Sequence, residues 1–320
     1  MIEKETAGIK MIDVVMVAYN RKEMVFEALR NMLDNPLIDL IVVVDNASSD
    51  NISREGPEFF PEAKWIVLTE NEGCTAWNKG MAETRSDYVL ILDDDCVPDI
   101  ASLYDVAGKM EKSPSVGLAV FNIINQFTGK SEWGPLEKSK GEEIWANSIG
   151  ACMLVRANAF SEVGGYKDYF LCFNDLDLVL SLWEAGYTVL YNERWKAFHK
   201  QKIIGTKKRR LFFEVRNLLW TIWGHLDIVP CLFISLKYIA GAFYDAEIRE
   251  YGEVIKGAGK GLHLGLKQRS GRRGNIPGEV MQKFYLNFIA GARFPNSILK
   301  FWPNIHNPVR IIEFPDRFSK

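Results

Sequence analysis

Four apolar runs, "IDVVMVAY" (12–19), "LIVVVD" (40–45), "KWIVLT" (64–69) and "YVLIL" (88–92), punctuate the first hundred residues at nearly even intervals. The segment after the first run, "NRKEMVFEALRNMLDN", repeats Val25, Phe26, Leu29, Met32 and Leu33 at helical spacing. A shorter helical piece, "TAWNKGMAETR", leads into the fourth run. Strand and helix alternating in units of this length predict an α/β fold whose parallel sheet is covered by helices on both faces. In such sheets the ligand crevice lies beyond the carboxyl ends of the strands.

Polar residues gather at those ends. The first strand runs out at Ala18-Tyr19-Asn20-Arg21, the second at Asp45-Asn46, and the fourth at Asp93-Asp94-Asp95. Three adjacent carboxylates after a buried strand repel one another and call for a positive partner. A hard divalent cation that takes oxygen ligands, Mg²⁺ or Mn²⁺, meets that need. The plainer alternative is a solvated turn in which Asp95 or Asp99 caps the next helix.

Beyond residue 100 the pattern loosens. "VGLAVFNI" and "SIGACMLV" read as strands, with the polar stretch "TGKSEWGPLEKSKGEE" as a loop between them. "GGYKDYFLCFND" is a turn-rich approach to the helix "LDLVLSLWEAG", which Gly186 ends, and "YTVLY" is a further strand. From about residue 205 the texture turns to basic "GTKKRR" and long apolar helical segments. Two regions are expected: 1–205, holding the site, and 206–320, mainly helical.

Composition narrows the function classes. A chain that is 48% hydrophobic and 25% charged is ordinary for a globular protein, and a net charge of −2 gives no basic field to recruit nucleic acid. Its five cysteines form no CxxC pair, which argues against a disulfide framework or zinc site and suits a reducing cytoplasm. The opening "MIEKETAGIK" does not read as a signal peptide. The most apolar stretch, residues 218–243, is interrupted by His225, Asp227, Pro230 and Lys237, so a membrane span is not expected. Basic clusters ("KKRR", "KQRSGRR") beside Trp220 and Trp223 leave two readings open. One is attachment to an anionic membrane surface, at the inner face of the cell membrane. The other is a helical subdomain packed on the core, contributing to a homo-oligomer.

Seven segments, in order, resemble the family 2 inverting glycosyltransferases of the GT-A fold, particularly the rhamnosyl- and galactofuranosyltransferase-like members. They are "VVMVAYNR", "IVVVDNASSD", "NEGCTAWNKG", "YVLILDDD", "GACMLVRANAFSEVGGYKDYFLCFNDLDLVLSLWEAGY", the histidine of "AFHK", and "EVRN". The resemblance covers roughly residues 11 to 217. It implies a Rossmann-like, mostly parallel sheet flanked by helices, with a helical C-terminal extension. It also implies a UDP- or dTDP-sugar donor, a glycan or lipid-linked saccharide acceptor, and Mg²⁺ or Mn²⁺ as cofactor.

By that resemblance Asp95 is the main metal ligand, Asp93 and Asp94 contact ribose or metal, and His199 completes the metal site. Asp45 accepts a hydrogen bond from the nucleobase, a role suited to an acceptor-only carboxylate, although "DNASS" is also good turn chemistry. Ala18, Tyr19, Asn20, Arg21 and Asn46 line the base and ribose, with Arg21 towards phosphate. Gly73 permits close backbone approach, and Asn78 contacts the nucleotide; helix capping and packing explain these two equally well. In "FNDLDL" Asn174 replaces the family's usual Glu, while Asp175 holds the position of the general base that deprotonates the acceptor hydroxyl. Asp177, two residues on, points to another helix face. Trp145, Asn147 and Gly150 border sugar and acceptor, with core packing the alternative for Trp145.

Two other readings compete. A nucleotidyltransferase also combines a Rossmann-like half with metal-binding acids, but "AYNRKEM" stands where its Gly-rich phosphate loop would follow the first strand. A non-catalytic nucleotide-sugar-binding or membrane-scaffold protein would not need Asp95, Asp175 and His199 together.

Overall fold

The computed structural model describes residues 10–133, 142–146, 150–200, 210–271 and 276–290. The first half runs β1 (Ile12–Ala18), α1 (Lys22–Met32), β2 (Ile38–Asp45), α2 (Ile52–Phe59), β3 (Lys64–Val67), α3 (Ala76–Met81), β4 (Tyr88–Asp93), β5 (Cys96–Pro98) and α4 (Ile100–Lys112). Then follow β6 (Val116–Asn125), β7 (Ser131–Trp133), β8 (Glu142–Ile144), β9 (Cys152–Arg156), α5 (Ala157–Glu162), α6 (Asn174–Glu184) and β10 (Thr188–His199). Four longer helices end the described chain: α7 (Leu211–His225), α8 (Ile228–Asp245), α9 (Tyr251–Arg269) and α10 (Gly278–Ala290).

One mixed sheet organises these elements, in the order β3-β2-β1-β4-β9-β6-β10-β5, with β7 on β6 and β8 on β10. The four strands foreseen in the first hundred residues form its parallel half. The register aligns their ends: Ala18 lies beside Asp45, and Val17 beside Asp93. Alternation along each strand feeds two cores. Val15, Val89 and Ile91 face one side with Trp77 and α6, whereas Val14, Met16, Leu90 and Leu92 face the other with α1 and α4. Residue patterning therefore sets a sheet covered on both faces.

Three features sharpen the sequence expectation, and the second departs from it. The sheet is mostly but not wholly parallel, because β9 runs against β4 and β6, and β5 against β10. The expected polar loop at 128–143 contains β7 and the start of β8. The final strand continues past "YTVLY" to His199. These extra pairings matter, since β5 begins directly after Asp95 and its Cys96 pairs with His199 of β10. Two residues 104 positions apart are thus delivered to one point by backbone register.

The region boundary expected near 205 lies outside the described residues, as do residues 207–209 of "KKRR". α7, α8 and α10 pack on the sheet half, while Val254 of α9 packs against Leu211, Val215 and Leu219 of α7. Leu218 and Ile222 of α7, Cys231 and Ile234 of α8, and Val280 and Phe284 of α10 belong to the same buried cluster as Val15 and Leu180.

Candidate functional site

A cavity of about 410 Å³ opens over the carboxyl ends of β1 and β4. Its wall joins Tyr19 and Arg21, after β1, with Asp93 and Asp94 of the β4 end and with Asn174 and Asp175 at the start of α6. The acidic strand end and the proposed base, more than 80 positions apart in the chain, therefore face one space.

At the acidic end the three aspartates differ. Asp93 faces the cavity; burial, reinforced by the charges of Asp95 and Asp94, pushes its carboxyl up to about 8. Burial also raises Asp94, to about 6, although Arg21 opposes the shift. Asp95 is buried as well, 4% exposed. Its burial is outweighed by His199 and Arg21, which hold its pKa below the usual carboxylate value. Arg21 Nη1 donates to Asp94 Oδ1 at 2.9 Å and to Asp95 Oδ2 at 2.7 Å, so the positive group beside the acids in this chain includes a guanidinium. Asp99, the alternative cap, does cap α4, accepting from Ser102 N at 2.9 Å.

His199 Nε2 stands 3.1 Å from Asp95 Oδ1, and its Nδ1 2.5 Å from Glu132 Oε2. Burial pulls the ring's pKa down, but the two carboxylates prevail and raise it. Two donors to one octahedral Mg²⁺ or Mn²⁺ ion stand about 3 Å apart, since each bond is about 2.1 Å. Asp95 and His199 fit that requirement, as do the donor types, and the carboxylate behind the imidazole is the usual support of a metal-ligating histidine. Among the described residues no three such side chains already converge on a single point.

At the other end Asp175 is held by three donors. Tyr166 Oη (3.0 Å) and Asn174 Nδ2 (3.0 Å) donate to Oδ1, and Gly150 N (2.9 Å) donates to Oδ2. Desolvation by the surrounding protein raises its pKa to about 6, against the lowering effect of the Tyr166 and Gly150 hydrogen bonds. Gly150 must be glycine, because a Cβ there would meet Asp175 Oδ1 at 2.5 Å. Asp177 points elsewhere: Lys167 Nζ (2.8 Å), Tyr169 Oη (3.0 Å) and His225 Nε2 (2.9 Å) surround its Oδ1. Burial notwithstanding, Lys167 and His225 hold its carboxyl far below the usual range.

Several expected contacts serve the protein's own framework. Ala18 is wholly buried at the β1 end. Asn20, with a left-handed φ of 55°, accepts from Ser49 N at 2.7 Å and braces the loop after β2. Asp45 forms the turn, accepting from Ser48 N at 2.8 Å. Asn46 does not line the cavity: its amide bonds Asn71, Glu72 and Gly73. Gly73 lines the cavity and permits the close backbone approach expected of it, since the oxygen of Phe170 would lie 2.2 Å from a Cβ there. Asn78 is likewise spent on backbone, donating to Tyr166 O at 2.7 Å and accepting from Tyr166 N at 2.9 Å. Trp145 is core, stacked on Tyr191 at 4.6 Å. Asn147 lies outside the described residues.

Other residues of the site were not singled out from sequence. Tyr166 and Glu132 touch the two key groups directly, and Arg216 and Asn217 of α7 grip the segment in front of α6. Arg216 Nη2 donates to Asp168 O and Tyr169 O, and Asn217 Nδ2 to the carbonyls of Tyr169, Leu171 and Cys172. Within this segment Phe170, Cys172 and Phe173 have φ of 64°, 64° and 61°, a costly conformation for residues with a Cβ. "EVRN" was a visible signal for the pair; nothing in "YKDYFLCFND" announced the backbone it holds.

Comparison with known proteins agrees with this geometry. Residues 13–164 match the family described as Glycosyl transferase family 2. A poly-beta-1,6-N-acetyl-D-glucosamine synthase of Staphylococcus epidermidis is 25% identical over 210 residues, covering 61% of this chain and 51% of that protein. An N-acetylglucosaminyl-diphospho-decaprenol L-rhamnosyltransferase of Mycobacterium tuberculosis is 22% identical over 203 residues, covering 50% of this chain and 66% of that protein. The chain thus spans about half the length of the synthase. Among solved structures, GalNAc-T7 with UDP, GalNAc and Mn²⁺ superposes with a TM-score of 0.68 at 14% identity, covering 90% of this chain and 59% of that one. S. aureus TarS 1-349 with UDP gives 0.60 at 14% identity, covering 87% of each chain. Those two similarities speak to the fold. Residues 13–164 thus match glycosyl transferase family 2, and the architecture is that of the GT-A fold.

Proposed function

We propose that the chain transfers a sugar from a nucleoside-diphosphate sugar to a hydroxyl of a glycan or lipid-linked saccharide, with inversion at the anomeric carbon. The observation that carries this reading is the shared cavity. Asp93 and Asp94 face it from the sheet, and Asp175 faces it from the start of α6. A sugar hydroxyl is a poor nucleophile, and a carboxylate on the far side of the sugar from the diphosphate can take its proton as the new bond forms. Tyr166, Asn174 and Gly150 fix that carboxylate. Attack opposite the leaving diphosphate is a single displacement, so no enzyme nucleophile is needed.

Asp95 and His199 would hold the divalent cation, with Asp93 turned to the same region. Such a cation supplies positive charge to the departing diphosphate. Arg21 adds a second positive group on the cavity wall. Two relatives, named as a polysaccharide synthase and as a rhamnosyltransferase of a lipid-linked sugar, support the acceptor class. The neighbours solved with UDP, one of them also with Mn²⁺, support the donor and metal classes.

A thermal-shift panel of UDP- and dTDP-sugars with and without Mn²⁺ tests the reading, because a ligand that binds only the folded chain raises its melting temperature. At least one nucleotide-sugar should stabilise the protein in Mn²⁺ and fail to do so in EDTA or in Asp95→Ala. No stabilisation by any member would contradict it.

Attachment to the inner face of a cytoplasmic membrane is the accompanying proposal. One described helix, α8, is long and apolar enough to cross a membrane by length and composition alone, with a mean hydropathy of 1.3. It packs Cys231, Ile234 and Ala242 inward and leaves Ile228, Val229, Leu232, Phe233 and Leu236 more than half exposed. A one-sided apolar helix of this kind supports lying along a surface.

A further inference from the structure

We propose that Glu132 is a positioning residue for the metal centre: it holds His199 so that Nε2 is presented, as a lone pair, to the cation shared with Asp95. This rests on the glycosyltransferase reading above, and adds to it a residue on a strand that the sequence hides in a polar stretch.

The geometry is a relay through four side chains. Asn125 ends β6 and closes the turn into β7, where its Oδ1 accepts from Phe127 N and Thr128 N, both at 3.0 Å. With its oxygen committed, the amide nitrogen points at Glu132 Oε1, 2.6 Å away. Glu132 Oε2 meets His199 Nδ1 at 2.5 Å, and His199 Nε2 faces Asp95 Oδ1 at 3.1 Å. Each ring nitrogen faces a carboxylate, which can only accept; a cation seated between Nε2 and Asp95 displaces the proton there, while Glu132 keeps the one on Nδ1. That assignment leaves Nε2 as the ligating atom, and a carboxylate behind a ligating imidazole fixes both tautomer and ring orientation.

The relay is built rather than incidental. The side chains of Glu132, His199 and Asp95 are 12%, 5% and 4% exposed, so the carboxylate of Glu132 has given up most of its water. Both of its oxygens have partners, which offsets that loss. The backbone is equally constrained. His199 pairs with Cys96 on one side and Asn125 on the other, and Gln126 N donates to its carbonyl at 3.0 Å. A simple stabilising contact on a three-residue strand would not require a largely desolvated acid aimed at the one nitrogen that faces away from Asp95.

The test uses the full chain and Mn²⁺ itself, titrated calorimetrically and by electron paramagnetic resonance in the presence of UDP. Glu132→Ala should weaken Mn²⁺ binding by roughly 10- to 100-fold. Glu132→Gln, which still offers one acceptor of the same reach, should fall between that variant and the wild type. Melting temperature and UDP affinity without metal should stay near wild type, which a merely structural role would not allow. In the Mg²⁺- and UDP-loaded wild type, ¹⁵N spectra should show His199 protonated at Nδ1 only. Binding of Mn²⁺ by Glu132→Ala within twofold of wild type would overturn the proposal, as would a proton on Nε2 in the loaded state. Should Glu132→Ala not fold, Glu132→Gln and the wild-type spectrum decide. A wild type that binds no Mn²⁺ with UDP would defeat the metal assignment itself and this role with it, whereas metal binding indifferent to Glu132 would defeat this role alone.

Discussion

Asp175 and Asp177 show how two acids on one helical turn acquire opposite characters. Asp175 borders the cavity with neutral donors around it, and desolvation raises its pKa to about 6. A base must be unprotonated, so turnover at limiting substrate should fall as pH drops through about 6 and level off above it; a pH profile of kcat/KM checks this. Tyr166→Phe removes one donor to the carboxylate and should shift that profile upward, because a hydrogen bond that favours the charged form is lost. Asp175 was singled out by the resemblance of "FNDLDL" to the family's acidic pair, not by its place at a helix start, which any capping acid shares. Sequence left Tyr166 invisible, since a tyrosine nine residues upstream gains its role only when the intervening segment folds back. Asn46 and Asn78 show the converse limit of sequence. An amide suits a nucleotide and a backbone strand equally, and only tertiary placement shows that both serve backbone here.

At the scale of elements, α7 ties the C-terminal helices to the site. Asn217 is wholly buried and donates to three carbonyls of the segment that carries the left-handed residues. Asn217→Ala should cost about 1–3 kcal/mol in denaturant unfolding, the usual penalty for orphaned buried carbonyls. Asn217→Asp should be at least as damaging, having no amide hydrogens to give. The second tie is electrostatic. His225 of α7 lies between Asp177 (2.9 Å) and Glu184 (3.1 Å) of α6, with Lys167, Tyr169 and Gln268 around the same carboxylate. Asp177, with its pKa depressed, contributes stability that is present above about pH 4 and is lost as pH falls further. His225 is raised although burial opposes it, so its contribution is full below about 6.5 and is lost as pH rises through its folded value. The difference in melting temperature between wild type and Asp177→Asn should therefore peak near pH 5–6 and narrow on either side. The long strands were legible because buried apolar runs leave few alternatives. β5, β7 and β8, three residues each, were not, because cross-strand pairing rather than composition makes them strands.

For the molecule as a whole, the strand ends and the segment from Tyr166 to Asp175 supply the cavity, α7 braces that segment, and the outer face of α8 remains apolar. Phe233→Glu with Leu236→Glu should leave nucleotide binding intact and abolish flotation with anionic vesicles at low salt; unchanged flotation would dismiss α8 as the docking face. The central claim is sugar transfer in which Asp175 acts as base within a metal-dependent site. Its most direct measurement follows the phosphorus products from the donor that stabilises the protein, in Mn²⁺ and in EDTA, for wild type and Asp175→Asn. The account predicts release of nucleoside diphosphate by the wild type in Mn²⁺ and none in EDTA. It predicts a loss of roughly 100-fold or more in Asp175→Asn, with nucleoside diphosphate binding retained. Release of pyrophosphate would mark a nucleotidyltransferase, and undiminished turnover by Asp175→Asn would contradict the account.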